Sequence, residues 1–294
     1  MRIGITTPTG HIGSRLVNNL LQKNKHDLVL IARDPSKLKT AQSKGATVVK
    51  ADMLDRNAMI KATQGLDALF WVNPPKMDTD NVTEYYTTLA DNGTEAVKKN
   101  NIKRVILLSS VGAHQAQGLG PVSALHKVED IFRNSVKNLT ILRPSYMMDN
   151  LLTTIGDIKR NGQIHLPVDG RTKVPMVASE DIARVAADLV SREFTGYHVH
   201  SLHGPRAYTF TEAAQIIGDT VGKKVEYIRV TPQQAIDSME EMGASDEVAH
   251  QFVEMYTAMD SGRFSDETPG TSDTTTPTTF ETFAKINIAP AIKG

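Results

Sequence analysis

Residues 2–6 form a short apolar run, and the chain then reads Thr7-Pro8-Thr9-Gly10-His11-Ile12-Gly13 before an amphipathic pattern over 11–23. Few folds place a strand, a tight glycine-bearing turn and a helix one after another within the first 23 residues. Gly10 lets the main chain approach a pyrophosphate, and Gly13 lets the helix lie close to the strand. The unbonded amides at the helix start then face the anion. The usual dinucleotide pattern carries one more glycine, where this chain has Thr7. An ordinary strand–turn–helix corner has the same outline, so the rest of the chain must decide.

Strand-length apolar runs at 2–6, 27–33, 47–51, 68–72, 104–109 and 139–143 alternate with helical patterns near 11–23, 35–44, 56–63, 80–99 and 122–135. That alternation predicts an α/β Rossmann fold, a doubly wound parallel sheet with helices on both faces. Beyond Pro144 the alternation loosens. We read helices at 179–191, 211–221, 232–241 and 245–260, and strands at 196–202 and 225–230. The expected organisation is a dinucleotide-binding domain over 1–150 and a smaller α/β substrate lobe over 151–294, with some of its elements returning to the large sheet. The Thr-, Ser- and Pro-rich stretch 265–279 reads as a flexible loop, followed by a short terminal helix that buries Phe280 and Phe283.

In such sheets ligands bind beyond the carboxyl ends of the strands. The second strand ends at Arg33, where an acidic residue would favour NAD. A guanidinium there suits the 2′-phosphate of NADP, with Lys37 in reach. The alternative is a solvated basic turn capped by Asp34-Pro35-Ser36. Asp52-Met53 ends strand three, where Asp52 either bonds an adenine amino group or caps the helix near Asp55. Asn73-Pro74-Pro75 makes a stiff turn that flanks the cofactor's middle section or is simply a loop entrance. Ser109-Ser110 ends strand five, and the Ser110 hydroxyl would lie near a nicotinamide unless it merely terminates the strand. His126 and Lys127 are candidates for a proton donor and a ribose contact, or for an ordinary helix surface. Tyr146 either lines a substrate pocket or is a structural tyrosine.

Net formal charge is 0, with 33 basic and 33 acidic residues, which gives no footing to nucleic acid or an anionic membrane. The Cys count of 0 removes disulfides, thiolate metal sites and cysteine nucleophiles. The histidines are scattered without ligand spacing, so no metal site is expected. Without a leader or a membrane-length apolar run, a cytoplasmic location follows as the expectation.

Taken in order, these segments resemble the NmrA-like branch of the atypical short-chain dehydrogenases/reductases over nearly the whole length. The resemblance rests on Thr9–Gly13, Ala32–Pro35, Val105–Gly112, Leu139–Pro144, Tyr146–Leu151, Val177–Ala183 and Thr211–Tyr227. The last two recur in quinone reductase-like and triphenylmethane reductase-like members. It implies NADP(H) as cofactor, hydride transfer to a quinone or similar small conjugated acceptor, and a C-terminal substrate lobe. It also implies that Thr7, Thr9, Gly10, His11, Ile12 and Gly13 hold the pyrophosphate. The Tyr-x-x-x-Lys pair of the wider superfamily would need tyrosine at 123, where Ser123 stands. A serine hydroxyl is a poor general acid. Conjugated acceptors tolerate that loss because the anion formed is delocalised. A redox sensor that binds NADP(H) without turnover is the alternative class. The oligomeric state stays open, a homodimer included.

Overall fold

The early strands are apolar on both faces, which forces a helical layer onto each side of the sheet. In the computed structural model, which describes residues 1–264 and 274–293, β1 (Arg2–Thr6), β2 (Asp27–Ala32), β3 (Thr47–Lys50), β4 (Ala68–Val72), β5 (Arg104–Leu108) and β6 (Leu139–Pro144) follow one another. They assemble in the order β3-β2-β1-β4-β5-β6, and β10 (Tyr197–Leu202) joins beyond β6. Every pairing in this seven-stranded sheet is parallel. The order reverses between β1 and β4, and the crevice at their carboxyl ends is where a dinucleotide lies in such folds.

One layer is α1 (His11–Lys23) against α7 (Ser179–Val190), closing a core around Ile3, Ile5, Leu16, Phe70 and Ile182. The other contains α3 (Arg56–Ala62), α4 (Val82–Lys99) and α5 (Pro121–Ser135), with Trp71, Leu107, Phe132 and Ile141 between them and the sheet. Chain 35–44 is not one helix. Asp34 Oδ1 accepts the Ser36 amide at 3.0 Å, and Pro35 follows it, giving a tight 3₁₀ turn, Pro35–Leu38, before the short α2 (Lys39–Ser43).

The lobe has a third apolar core built from small pieces. β9 (Lys173–Val177) lies between β7 (Tyr146–Met147) and β11 (Ala207–Thr209), while β8 (Gln163–Leu166) pairs with β12 (Glu226–Arg229). Against them stand α6 (Ile155–Asn161) and α8 (Phe210–Val221), the latter opened by a Thr209–Glu212 capping box. Of these, the sequence reading found only α8 and β12. α9 (Pro232–Glu241) and α10 (Asp246–Asp260) form a separate hairpin. The terminal helix is longer than expected: α11 (Phe280–Phe283) passes through a π turn into α12 (Ala289–Lys293).

The flexible-loop reading of 265–279 is corrected where the structure describes it; 265–273 lie outside the described residues. The Thr276 amide donates to the His203 carbonyl at 2.7 Å, and the Thr278 amide to Asp181 at 2.9 Å. These two bonds, one to a backbone carbonyl and one to a buried carboxylate, pin a segment whose composition resembles a loop. No helix among the described residues is long and apolar enough to cross a membrane.

Candidate dinucleotide and substrate site

The corner between β1 and α1 is built around one backbone carbonyl. Thr7 adopts φ +48°, the left-handed region that glycine usually fills. The conformation expected of the missing glycine is therefore present, held by a strained threonine. Its carbonyl accepts the Gly10 amide at 3.1 Å, and a Cβ on Gly13 would meet the same oxygen at 2.1 Å. Gly10, the N-cap, contributes no side-chain bond, so the amides of His11, Ile12 and Gly13 face outward from the helix start. Thr9, Gly10 and His11 are exposed, while Ile12 and Gly13 are buried against the strand. Outward-facing amides at a helix start are an arrangement able to hold an anion.

Replacing Gly13 with alanine is expected to cost about 1–3 kcal/mol, because the clash is with main chain rather than a movable side chain. Dinucleotide binding should disappear with it. Denaturant unfolding of the variant, with and without NADP, reads both effects.

Asp149 fixes the far side of this corner. Its buried carboxylate accepts the Ser179 hydroxyl at 2.6 Å and the Ser179 amide at 3.0 Å, at the start of α7. From α1, Arg15 approaches the same carboxylate at 3.4 Å and His11 at 3.7 Å. α1 and α7 are thus tied together next to this corner. Spacing alone did not reveal Asp149 or Arg15, since their partners come from a distant segment.

Arg33 and Lys37 are exposed after β2. The cap reading of this turn holds too: Asp34 takes the Ser36 hydroxyl and amide, which together hold its carboxyl below the usual range. Arg33 and Asp52 both lie near the Tyr85 ring of α4, whose hydroxyl burial pushes up. Asp52 accepts the Leu54 amide at 2.9 Å, whereas Asp55 is the side chain that caps α3. Met53 is buried and its carbonyl receives the Asn92 amide. Asn73 is a structural residue in its side chain. It accepts the Trp71 indole N–H at 2.6 Å and donates to the Tyr86 carbonyl at 2.9 Å, so its buried side chain is tied to the core rather than free for a ligand.

At the other end of the crevice, the Ser110 hydroxyl donates to the Val111 carbonyl at 3.1 Å, and the Val111 amide reaches Pro144. Beneath it, Ser109 donates to Glu129 at 2.5 Å and Arg143 grips the same carboxylate through Nε and Nη2. Lys127 is exposed. His126 is committed elsewhere: Nδ1 lies 2.8 Å from the Ala113 carbonyl, which can only accept, and Nε2 faces Asp130 at 3.4 Å. That leaves it a brace for the 111–113 turn rather than a proton donor. Ser123 receives the Leu119 amide at 3.0 Å, completing the start of α5.

Tyr146 is half-buried, edge-on to Phe210 with ring centroids 5.4 Å apart. Its hydroxyl lies close to Tyr256 of α10 and to Asn150, and burial, with Tyr256 beside it, pushes its pKa well above the ordinary phenol value. Tyr256 escaped the sequence reading because nothing in α10 marks which face turns to the crevice. α10 is held as a strap across the site. Ser245, its N-cap, bonds the Thr79 carbonyl at 2.5 Å, and at the far end Asp260 takes the Asp169 amide and the Thr172 hydroxyl. Midway, a Cβ on Gly120 would overlap the Gln251 carbonyl at 1.9 Å, so this approach requires glycine. Among the described residues no cluster of potential metal ligands occurs.

This geometry matches a known lineage. The NmrA-like family profile covers residues 1–284. The chain belongs to the NmrA-like family. It is 26% identical over 248 residues to an NAD(P)H azoreductase of Xenophilus azovorans, covering 84% of each protein. Its fold is similar to that of the NADPH-dependent quinone oxidoreductase QOR2 of Escherichia coli complexed with NADPH, at TM-score 0.80 and 24% identity over 96% of this chain and 98% of that one. The Citrobacter sp. triphenylmethane reductase complexed with NADP(H) follows at TM-score 0.77 and 20% identity, covering 100% and 99%.

Proposed function

We propose that this NmrA-like protein is an NADPH-dependent oxidoreductase that passes hydride to a quinone or a similar conjugated small molecule. The observation that carries the reading is the Thr7–Gly13 cradle, with the Arg33 guanidinium exposed at the end of the neighbouring strand. The residues fit the coenzyme. Thr7, Thr9, Gly10, His11, Ile12 and Gly13 surround the pyrophosphate; Arg33 and Lys37 take the 2′-phosphate; Asp52, Met53 and the Asn73-Pro74 backbone flank the adenosine and the middle section. NADPH, when bound, supplies the hydride, and the chain's task is to hold the acceptor against it in a water-poor pocket. Ser110, Lys127 and Tyr146 border that pocket, with Tyr256 closing it from α10. The names of the azoreductase and quinone oxidoreductase relatives support conjugated acceptors as the substrate class.

Ser123 being engaged as a helix-start acceptor favours chemistry that needs no strong general acid. The Tyr146 phenol, kept neutral, donates a hydrogen bond to the reduced oxygen instead. Tyr146→Phe is expected to lower kcat/KM for benzoquinone about tenfold, the worth of one hydrogen bond, with NADPH affinity unchanged. Steady-state loss of nicotinamide absorbance measures it. The same assay on the unaltered protein tests the whole reading: turnover above the uncatalysed rate upholds it, while tight NADP(H) binding without turnover across an acceptor panel assigns the sensor role.

A further inference from the structure

The amino-terminal edge of the large sheet, remote from the dinucleotide crevice, carries an open cleft of about 620 Å³. The last turns of α4 and α5, the entries to β5 and β6, and the Glu193–Thr195 turn ahead of β10 frame it. Its charge is one-sided. Lys98, Lys103, Arg104 and Lys137 line it, against the single acid Glu193. The two helix C-termini each contribute roughly half a negative charge. Four cations against Glu193 and those two ends leave about two positive charges unbalanced.

Arg104 is the centre of that imbalance. Its side chain is 6% exposed, yet its carboxylate partner Glu193 is 91% exposed and 3.5 Å away. One guanidinium nitrogen turns to the Met1 sulfur, a weak acceptor, and Nε is buried with no hydrogen-bond partner. A buried guanidinium is ordinarily matched by a carboxylate at closer range and with more than one hydrogen bond. Asp67 is close enough to feel Lys103 and Arg104, but it accepts the Arg2 amide at 2.9 Å and lies outside the lining. The frame is fixed: Asn138 donates to the Lys103 carbonyl at 2.9 Å and accepts the Gly196 amide at 3.0 Å. Val97, Ile102 and Phe194 give the cleft an apolar wall.

We propose that this cleft is a second ligand site, taking a small phosphate monoester with a flat apolar group. Lys103 and Lys137 hold the phosphate, the Arg104 charge lies behind them, and the apolar group lies along Phe194. A monoester carries about 1.5–2 negative charges at neutral pH, which matches the surplus. The volume falls in the ordinary range for small-molecule sites, roughly 300–1,000 Å³. Inorganic phosphate satisfies the charge but leaves the apolar wall uncovered.

Isothermal calorimetry with phenyl phosphate tests the site, titrated into the full chain with and without saturating NADP. The expected result is saturable binding of one phenyl phosphate, with equal affinity in both conditions. Lys103→Glu and Lys137→Glu each weaken it at least tenfold, Arg33→Ala leaves it unchanged, and inorganic phosphate binds at least tenfold more weakly. Both lysines are exposed, so the variants should melt with the parent protein. Absence of saturable heat, displacement by NADP, or undiminished affinity in both lysine variants overturns the proposal.

Discussion

Arg33→Ala should weaken NADPH binding about 100-fold and leave NADH binding within a few-fold. The two coenzymes differ only by the 2′-phosphate, so the comparison isolates contacts to that group. A guanidinium presents two parallel N–H donors to one phosphate, and each charge-assisted bond is worth about 1.5–3 kcal/mol when desolvated. Arg33 is exposed in the free protein, so we take the lower end for each of two bonds formed as the phosphate covers it, near 3 kcal/mol together. Because Asp34 is already occupied by Ser36, it does not draw the guanidinium away. Fluorescence titration with NADPH and NADH reads both affinities. Equal losses for the two coenzymes would remove Arg33 from phosphate selection, and added salt should shrink the difference as surface charges are screened.

The parts of this molecule legible in its sequence are those governed by local rules. The strand–turn–helix corner at Thr7–Gly13, the parallel sheet and the basic turn after β2 follow from periodicity and from what glycine permits. Even the departure at Thr7 is visible as a residue type, whereas its left-handed conformation is imposed by the folded corner and not by threonine's own preference. The lobe resisted because its strands are only two to five residues long and pair with segments far away, as β9 does with both β7 and β11. Side-chain roles divided along the same line. Residue type marked His126 and Asn73 as polar groups near the crevice, but their partners, the Ala113 carbonyl, the Trp71 indole and the Tyr86 carbonyl, decide what they do. Tyr256 reaches Tyr146 only because Ser245 and Asp260 anchor the two ends of α10, a geometry no spacing in the chain encodes.

Arg143→Met is expected to destabilise the fold by about 3–5 kcal/mol, the usual consequence of stranding one member of a buried ion pair. Glu129 is 1% exposed and receives Arg143 through both Nε and Nη2, with the Ser109 hydroxyl on the same carboxylate. Removing the guanidinium leaves that carboxylate with Ser109 at 2.5 Å and with Arg133 only at 3.9 Å, too little to offset its desolvation. The sign of the pair itself is a separate matter. Deleting both charges, as Arg143→Met with Glu129→Leu, should recover most of the loss, because apolar side chains of similar volume need no solvation. Urea unfolding of the two single variants and the double variant measures the coupling. The site supplies a second readout: Glu129 joins Ser109 and Arg143 at the carboxyl ends of β5 and β6, next to Ser110 and three residues before Tyr146. A double variant that regains stability but reduces benzoquinone slowly would show that the charged pair sets the geometry of the crevice, and one that regains both would make it a folding element alone.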